Sequence, residues 1–259
     1  MQTAGALTRK LDEPMNYLEK LNSDQLTETI QVDVWSDIIC PFCYIGKRNF
    51  ENALVQAGLT ENTNIVWHSF ELAPGAQTNP DASIYEDLGK RKGWSLEQST
   101  QIHKQMEQRA KESGLEYNFD KTIPANSFKA HRLLHLAKKH DVQNEVKEIL
   151  LKGYFTEGNN IDDEKYLVEA GTKAGLKEED VYQVLKSNAI EQEIREDIES
   201  ARKQGIQGVP FFVLNQKYAI SGAQPTEVFV EALKKVNEEL NLKNVSDSDG
   251  AVCGPDGNC

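Results

Sequence analysis

The amino-acid sequence predicts an α/β protein whose sheet is built from two parts, separated along the chain by a block of helices. Residues 30–75 have the pattern of a strand, a helix and a second strand. Residues 76–205 form the helical insertion, with only helical patterns from about Ser83 onward, and residues 206–242 have the pattern of two strands followed by a helix. Outside these parts lie an N-terminal extension, residues 1–29, and a C-terminal tail, residues 243–259. This layout is typical of a sheet covered by helices.

The first part reads as a βαβ unit. Its first strand is rich in β-branched and aromatic residues such as Val32 and Trp35. Pro41 suits the first turn of the helix that follows, because its missing N–H costs nothing there, and Gly58 is expected to end that helix. The second strand, 64–70, carries apolar groups on both alternating sets, which indicates burial on both faces. The crossover between the strands should be right-handed.

The central block contains helices whose starts and ends can be read from the sequence. Ser95 is predicted to cap a helix that runs to Gly114. The Asp162–Asp163 pair is predicted to cap another, which ends at Gly175, and the last helix of the block is predicted over residues 190–204.

The second part of the sheet is predicted from Gly208 onward. Asn215–Gln216 has the composition of a hairpin turn, and Lys217–Ser221 is its partner strand. The final helix is predicted to reach Leu240. The polar segment Ser246–Gly250 is expected to be mobile.

Composition narrows the class of protein. The 259 residues carry a formal net charge of −12, and 39% of them are hydrophobic and 27% charged, as in a soluble globular protein. An acidic balance argues against nucleic-acid binding, which uses a basic surface, and no stretch reaches the roughly 18 apolar residues of a membrane span. Residues 1–29 contain no apolar core of signal-peptide length. The expected compartment is therefore the reducing cytoplasm, where cysteines are more often catalytic or regulatory than structural.

A Cys-x-x-Cys pair, Cys40 and Cys43, stands where the first strand meets the first helix. A thiol at a helix N-terminus faces unpaired N–H groups and the positive end of the helix dipole, which favour the thiolate. We therefore expect Cys40 to be exposed and to act as the nucleophile. Cys43, one turn further on, would then close the disulfide and release a bound partner.

The alternative for the same pair is half of a zinc site. Zinc requires two further ligands, and Cys253 and Cys259 supply them only if the tail folds back. A Cys-x-x-Cys on a β-turn-α unit favours redox chemistry over metal binding. No metal or other cofactor is predicted.

Five motifs carry a resemblance to a known family: Trp35–Gly46, Asn126–Leu133, Tyr154–Gly158, Gly205–Phe212 and Ile220–Pro225. With them, the chain resembles the DsbA family of thioredoxin-like thiol oxidoreductases over residues 30–242, and within it the FrnE-like branch. The resemblance implies a thioredoxin fold with a large all-helical insertion between its βαβ half and its C-terminal ββα half. It also implies thiol–disulfide exchange, with proteins that carry thiols or disulfides, or glutathione, as partners.

The resemblance further implies a cis peptide bond between Val209 and Pro210, in a loop that lies against the cysteine pair. The backbone of Val209 would then pair with an extended substrate, as an added strand. From the residues alone, Pro210 at a strand entrance is an equally good interpretation.

The residue directly before Cys43 differs from that of many relatives. It is Phe42 in this chain, where a histidine is common. Phenylalanine cannot stabilise a thiolate by charge. We expect a reduction potential between the roughly −120 mV of a strong oxidant and the roughly −270 mV of thioredoxin. A cytosolic reductase or disulfide isomerase is then at least as well supported as a net oxidase.

Several residues keep two interpretations. Asp33, seven residues before Cys40, is either a buried acid that carries the proton of Cys43 or a solvent-facing acid of an early strand. Asp37 is expected to be a loop acid near the site. His68 and His131 are expected to pack rather than to bind metal.

The tail and the overall activity also keep alternatives. Cys253 and Cys259 resemble the second cysteine pair of some FrnE-like proteins, and are either a second redox pair or two incidental thiols. The competing activity is a glutathione-dependent isomerase of the 2-hydroxychromene-2-carboxylate type, against which the paired cysteines argue. A redox-sensing or metal-binding protein without enzymatic activity is the third interpretation.

Overall fold

A computed structural model describes residues 9–10 and 29–248 of the chain. Its strands are β1 (Arg9–Lys10), β2 (Ile30–Ser36), β3 (Thr63–Ser69), β4 (Phe211–Leu214) and β5 (Tyr218–Ser221). Its helices are α1 (Pro41–Ala57), α2 (Ile84–Lys92), α3 (Leu96–Glu112), α4 (Phe128–Lys138), α5 (Gln143–Lys152), α6 (Glu164–Lys173), α7 (Glu178–Lys186), α8 (Glu191–Lys203) and α9 (Thr226–Ser248). A π-helical turn, Gly153–Glu157, continues α5.

The strands form one mixed sheet in the order β1-β5-β4-β2-β3. Strands β2 and β3 are parallel, as the βαβ pattern predicts, and Val34 lies in register with Trp67. Strand β4 runs antiparallel to both β2 and β5, so that Phe212 lies opposite Val34 on one side and Ile220 on the other. The predicted α/β class, with a helical insertion between two parts of the sheet, is confirmed.

Three apolar clusters are present among the described residues, and the two larger ones hold the two parts of the molecule. One core joins the sheet to α1 and α9 and includes Val34, Phe50 and Phe229. The other fills the helical insertion, and it also takes in Tyr44 and Ile45 from the first turns of α1. The insertion core therefore holds the beginning of α1 and the sheet core holds its middle, which places the first turns at the junction of the two.

Both outer edges of the sheet formed by β2 to β5 are partly occupied. At one edge, β1 pairs with β5 antiparallel, with Arg9 opposite Ala219. At the other edge, the side-chain amide of Gln143 accepts a hydrogen bond from the Trp67 N–H at 2.9 Å and donates one to the Trp67 carbonyl at 2.8 Å. Gln143 thus takes the place that a neighbouring strand would have.

The structure differs from the sequence prediction at both ends. Residues 1–29 are predicted to lie outside the core fold, whereas Arg9–Lys10 adds an edge strand. The segment expected to be mobile from Ser246 is helical as far as Ser248, because no glycine or proline interrupts the chain between Thr226 and that point. Cys253 and Cys259 lie outside the described residues.

The caps predicted for the insertion are confirmed. The Ser95 hydroxyl accepts a hydrogen bond from the Gln98 N–H, and the Gln98 side chain accepts one from the Ser95 N–H, a complete capping box. The Asp163 carboxylate accepts a hydrogen bond of 2.9 Å from the Tyr166 N–H at the start of α6. Among the described helices, none is long and apolar enough to cross a membrane.

Replacing Asp163 by alanine should lower the free energy of unfolding by about 1 kcal/mol, because a first-turn N–H of α6 loses its acceptor. Urea unfolding followed by circular dichroism measures the loss. Asp163→Asn is the matched control and should stay close to the parent protein, since an asparagine caps about as well. An equal loss in both variants would show that the cap is not the cause.

Candidate active site

Cys40 is the N-cap residue of α1, and Pro41 occupies the first helical position. The proline needs no acceptor at this position, and the helix continues to Gly58, whose left-handed φ of 67° ends it. Cys43 lies one turn into the helix, and its N–H donates to the Cys40 carbonyl at 3.0 Å. The two thiols are free and are thus brought together at the start of α1.

The loop before β4 lies directly against this turn. The Val209–Pro210 peptide bond is cis, as the resemblance implies. The Cys40 thiol donates a hydrogen bond to the Val209 carbonyl at 3.5 Å. Gly46, one turn further along α1, allows the approach, since a Cβ atom there would lie 2.8 Å from Cγ of Pro210. A side chain at position 46 would push the loop away from the cysteines.

A cavity of about 720 Å³ opens beside the pair, between the sheet end of the molecule and the insertion. Its wall is mainly apolar and aromatic and includes Phe42, Leu72, Ile84, Leu88, Trp94, Met106, Phe119 and Phe155. The polar groups of the wall include Arg91, Lys92 and His103. Cys40 borders the cavity and Cys43 does not, so Cys40 is the thiol that a molecule in the cavity can reach.

The expectation of an exposed Cys40 is wrong. The residue is only 3% exposed, and Cys43 is fully buried. The Val209 carbonyl covers the Cys40 sulfur, and the cavity wall surrounds the rest. Access to Cys40 is therefore through the cavity rather than from an open surface.

Burial also changes which sulfur ionises more readily. Burial, together with the hydrogen bond and charge of Cys43, raises the pKa of Cys40 well above its ordinary value, although the Cys43 N–H favours the Cys40 thiolate. Burial opposes ionisation of Cys43 too, but the hydrogen bond from Cys40 and the charge of Lys147 outweigh it, so the pKa of Cys43 is lowered. The helix N-terminus therefore does not decide the ionisation of Cys40 by itself.

Lys147 is a member of the site that sequence reasoning missed. Its side chain is fully buried on α5. Burial lowers the pKa of Lys147 to about 8 against the opposing charges of Cys43, Asp37 and Cys40. The signal was present in the sequence, because Lys147 falls on the buried face of α5 with Val146, Leu150 and Leu151, where an apolar residue is the rule.

Asp37 and His131 form a second pair beneath the site. Both are fully buried, and Asp37 Oδ1 lies 3.2 Å from His131 Nε2. Burial acts to raise the pKa of Asp37, but the hydrogen bond and charge of His131 outweigh it and lower the pKa. The other oxygen of Asp37 accepts a hydrogen bond of 2.8 Å from the Leu72 N–H, in the cavity wall. Asp37 is thus a buried loop acid whose carboxylate holds the backbone of Leu72 in the cavity wall. His131 packs in the core and also forms a hydrogen bond with that carboxylate.

Asp33 is buried, but its carboxylate bonds to His68 at 2.7 Å. On the other side of the ring, His68 Nδ1 lies 2.7 Å from Asp197 on α8. Alternation along β2 explains this, because Val32 and Val34 face α1 while Trp35 packs with Ala201 of α8. Asp33 lies on the α8 side of β2, where its carboxylate forms a hydrogen bond with His68.

The ring of Phe42 has a cation–π contact with Arg109. The Arg109 guanidinium lies 5.3 Å from the ring centroid, and its Nη2 donates to the Ala223 carbonyl at 3.4 Å.

Among the described residues, no group of three or more His, Cys, Asp or Glu side chains is arranged to hold a metal ion.

A cysteine pair at a helix start, a cis-proline loop against it and a helical insertion above it define a thioredoxin-fold protein of the thiol–disulfide type. The model of the DSBA-like thioredoxin domain family matches residues 31–234. The chain belongs to that family.

Three relatives illustrate the range of the similarity. A probable DsbA oxidoreductase from Streptomyces coelicolor is 34% identical, with a TM-score of 0.74 over 88% of this chain and 97% of that one. The uncharacterized protein YwbO of Bacillus subtilis (strain 168) is 26% identical over 79% of this chain and 96% of its own length. The cytosolic disulfide reductase DsbM from Pseudomonas aeruginosa, solved with glutathione, shares the fold at 13% identity, with a TM-score of 0.55 over 82% of this chain and 98% of that one.

The ring of His68 between two carboxylates makes stability depend on pH. Burial alone would lower the pKa of His68, but Asp197 and Asp33 outweigh it and raise the pKa to about 9 from 6.5. The protonated ring therefore contributes stability that is fully present below pH 6.5 and is lost as the pH rises through 9. The pH-dependent part is on the order of 3 kcal/mol.

We predict that His68→Gln lowers the free energy of unfolding most at pH 6, and that its difference from the parent protein shrinks toward pH 9.5. Chemical unfolding at a series of pH values measures this. His140→Gln is the control, because His140 is exposed. A deficit of His68→Gln that is the same at pH 6 and pH 9.5 would contradict a protonated ring.

Proposed function

We propose that the protein is a thiol–disulfide oxidoreductase in which Cys40 attacks the substrate and Cys43 resolves the mixed disulfide. The observation that carries the proposal is the placement of the Cys40 thiol, which borders the cavity and lies 3.5 Å from the Val209 carbonyl of the cis-proline loop. Family membership over residues 31–234 supports the same chemistry.

The first step consumes a Cys40 thiolate. Because each thiol acts on the ionisation of the other, moving one proton from Cys40 to Cys43 provides that thiolate at the cavity side. The Cys40 sulfur then forms a bond to one sulfur of the substrate disulfide, the substrate S–S bond breaks, and the departing sulfur leaves as a thiolate that takes a proton.

The second step uses the sulfur whose pKa is lowered. The proton on Cys43 passes to the departed substrate thiolate. The Cys43 thiolate that remains attacks Cys40, a Cys40–Cys43 disulfide forms, and the remaining substrate thiolate is released. Overall, the substrate disulfide gains two electrons and the protein dithiol loses two. In reverse, the same steps transfer a disulfide to a substrate dithiol.

Val209 and Pro210 are proposed to hold the substrate beside the pair. The Val209 backbone is available as a strand-pairing site when an extended segment displaces the Cys40 hydrogen bond from its carbonyl. The mainly apolar cavity wall suits apolar side chains next to a substrate cysteine. Proteins that carry disulfides or thiols are the proposed partners.

We further propose that the protein belongs to the FrnE-like branch of the family and is located in the cytoplasm. We also propose that it acts as a reductase or isomerase of disulfides. The motifs from Trp35–Gly46 to Ile220–Pro225 support the branch. Phe42 in place of a histidine supports a moderate potential, and the cytosolic reductase DsbM solved with glutathione supports glutathione as an electron donor. Asp33 is not assigned to the proton transfer, because its carboxylate bonds to His68.

Two single variants separate the roles of the cysteines. Cys40→Ser should reduce insulin disulfides at no more than the rate of dithiothreitol alone, because the nucleophile is gone. Cys43→Ser should retain attack but accumulate a mixed disulfide that a non-reducing gel and mass spectrometry detect at Cys40. Each variant serves as the control for the other, since both lose one thiol from the same turn. Full insulin reduction by Cys40→Ser would refute the assignment.

A further inference from the structure

Helix α5 places the side chain of Lys147 out of contact with solvent, at 0% exposure. Its Nζ has no hydrogen-bond partner among the described residues and lies 5.3 Å from the centroid of the Trp67 ring. Lys47 offers a comparison, because it is only 1% exposed yet its Nζ lies 2.6 Å from Glu51 and 2.7 Å from Glu148. A buried ammonium is strongly unfavourable unless a negative group compensates it.

The negative groups that act on this ammonium are, in order of decreasing effect, Cys43, Asp37 and Cys40. Lys47 on α1 acts in the opposite sense, and its own charge is already paired. Asp37 is committed to His131 of α4 at 3.2 Å, and β3 contributes the aromatic ring of Trp67. The largest compensating charge on Lys147 is therefore that of the cysteine pair, with Asp37 as a further contributor.

We propose that Lys147 is a positioning residue of the exchange reaction, and that its buried ammonium stabilises the thiolate of the Cys40–Cys43 pair and so favours the reduced protein. The inference rests on the proposed function, in which the pair alternates between a dithiol and a disulfide. The residue comes from the helical insertion, so the insertion sets the redox balance of a pair that belongs to the thioredoxin part.

The effect follows from charge compensation in the two redox states. Reduction by glutathione is the reaction of one protein disulfide with two glutathione thiols, which gives the protein dithiol and one glutathione disulfide. When the dithiol loses one proton, a thiolate faces Lys147. In the disulfide state neither sulfur carries a charge, and the ammonium stays buried without that compensation. Lys147 therefore disfavours the oxidised form relative to the reduced form.

The test is the redox equilibrium of Lys147→Met, which removes the charge and keeps an unbranched apolar side chain. The full-length protein is equilibrated with mixtures of reduced and oxidised glutathione at pH 7, quenched, alkylated, and scored by mass spectrometry of the peptides with Cys40 and Cys43. We expect the equilibrium constant to shift about tenfold toward the disulfide, which is about 30 mV lower in reduction potential for a two-electron couple.

Lys152→Met is the matched control, because it removes a lysine from the same helix where the side chain is 56% exposed. It should leave the equilibrium constant within twofold of the parent value. A second measurement compares thermal unfolding of the oxidised and reduced proteins. Lys147→Met should stabilise the oxidised form relative to the reduced one, whereas a lysine that only packs would change both forms equally.

The outcomes separate the two proposals. If Lys147→Met, or Lys147→Gln should the first variant not fold, keeps the parent equilibrium constant, the role of Lys147 is overturned. A shift of the same size in Lys152→Met would also overturn it, since net charge would then suffice. If the parent protein never forms a Cys40–Cys43 disulfide in any glutathione mixture, the proposed function itself fails.

Discussion

The contact between the first turns of α1 and the cis-proline loop is the constraint on which the rest of the site depends. Position 46 has no room for a side chain, because a Cβ there would lie 2.8 Å from Pro210. That closeness brings the Val209 carbonyl to the Cys40 sulfur. Both cores contribute to it, since the sheet core holds the middle of α1 and the insertion core holds its beginning. The cysteines are therefore positioned by two halves of a sheet and by the helices inserted between them.

The ionisation of the pair is decided by a balance between burial and a few nearby charges. Burial disfavours both thiolates, and it is the largest influence on each. The helix N-terminus acts on Cys40 through the Cys43 N–H, but burial outweighs this contribution. On the Cys43 side, Cys40 and then the charge of Lys147 tip the balance toward the thiolate. Cys40 is thus the sulfur that a substrate can reach from the cavity. The positive charge of Lys147 acts on Cys43.

Sequence patterns were sufficient for features that depend on local chemistry. The Cys-x-x-Cys pair at a helix start, the cap at Asp163 and the succession of strands and helices along the chain all follow from short-range rules. Features that depend on partners far along the chain were not predictable in this way. Lys147 acts on a cysteine from another part of the sequence, and the pairing of Arg9 with β5 needs the folded sheet to form its edge. The burial of Cys40 likewise depends on a loop that follows it by more than half of the chain.

The partly occupied edges of the sheet have a consequence for selectivity. Strand β1 covers part of β5, and the amide of Gln143 occupies the backbone groups of Trp67 on β3. Exposed strand edges recruit other chains and are a common route to aggregation. Under the proposed function, the protein meets disulfide-bearing polypeptides that can offer such strands. The partly occupied edges then leave fewer backbone groups for unproductive association, and the Val209 backbone is the proposed place for an arriving strand.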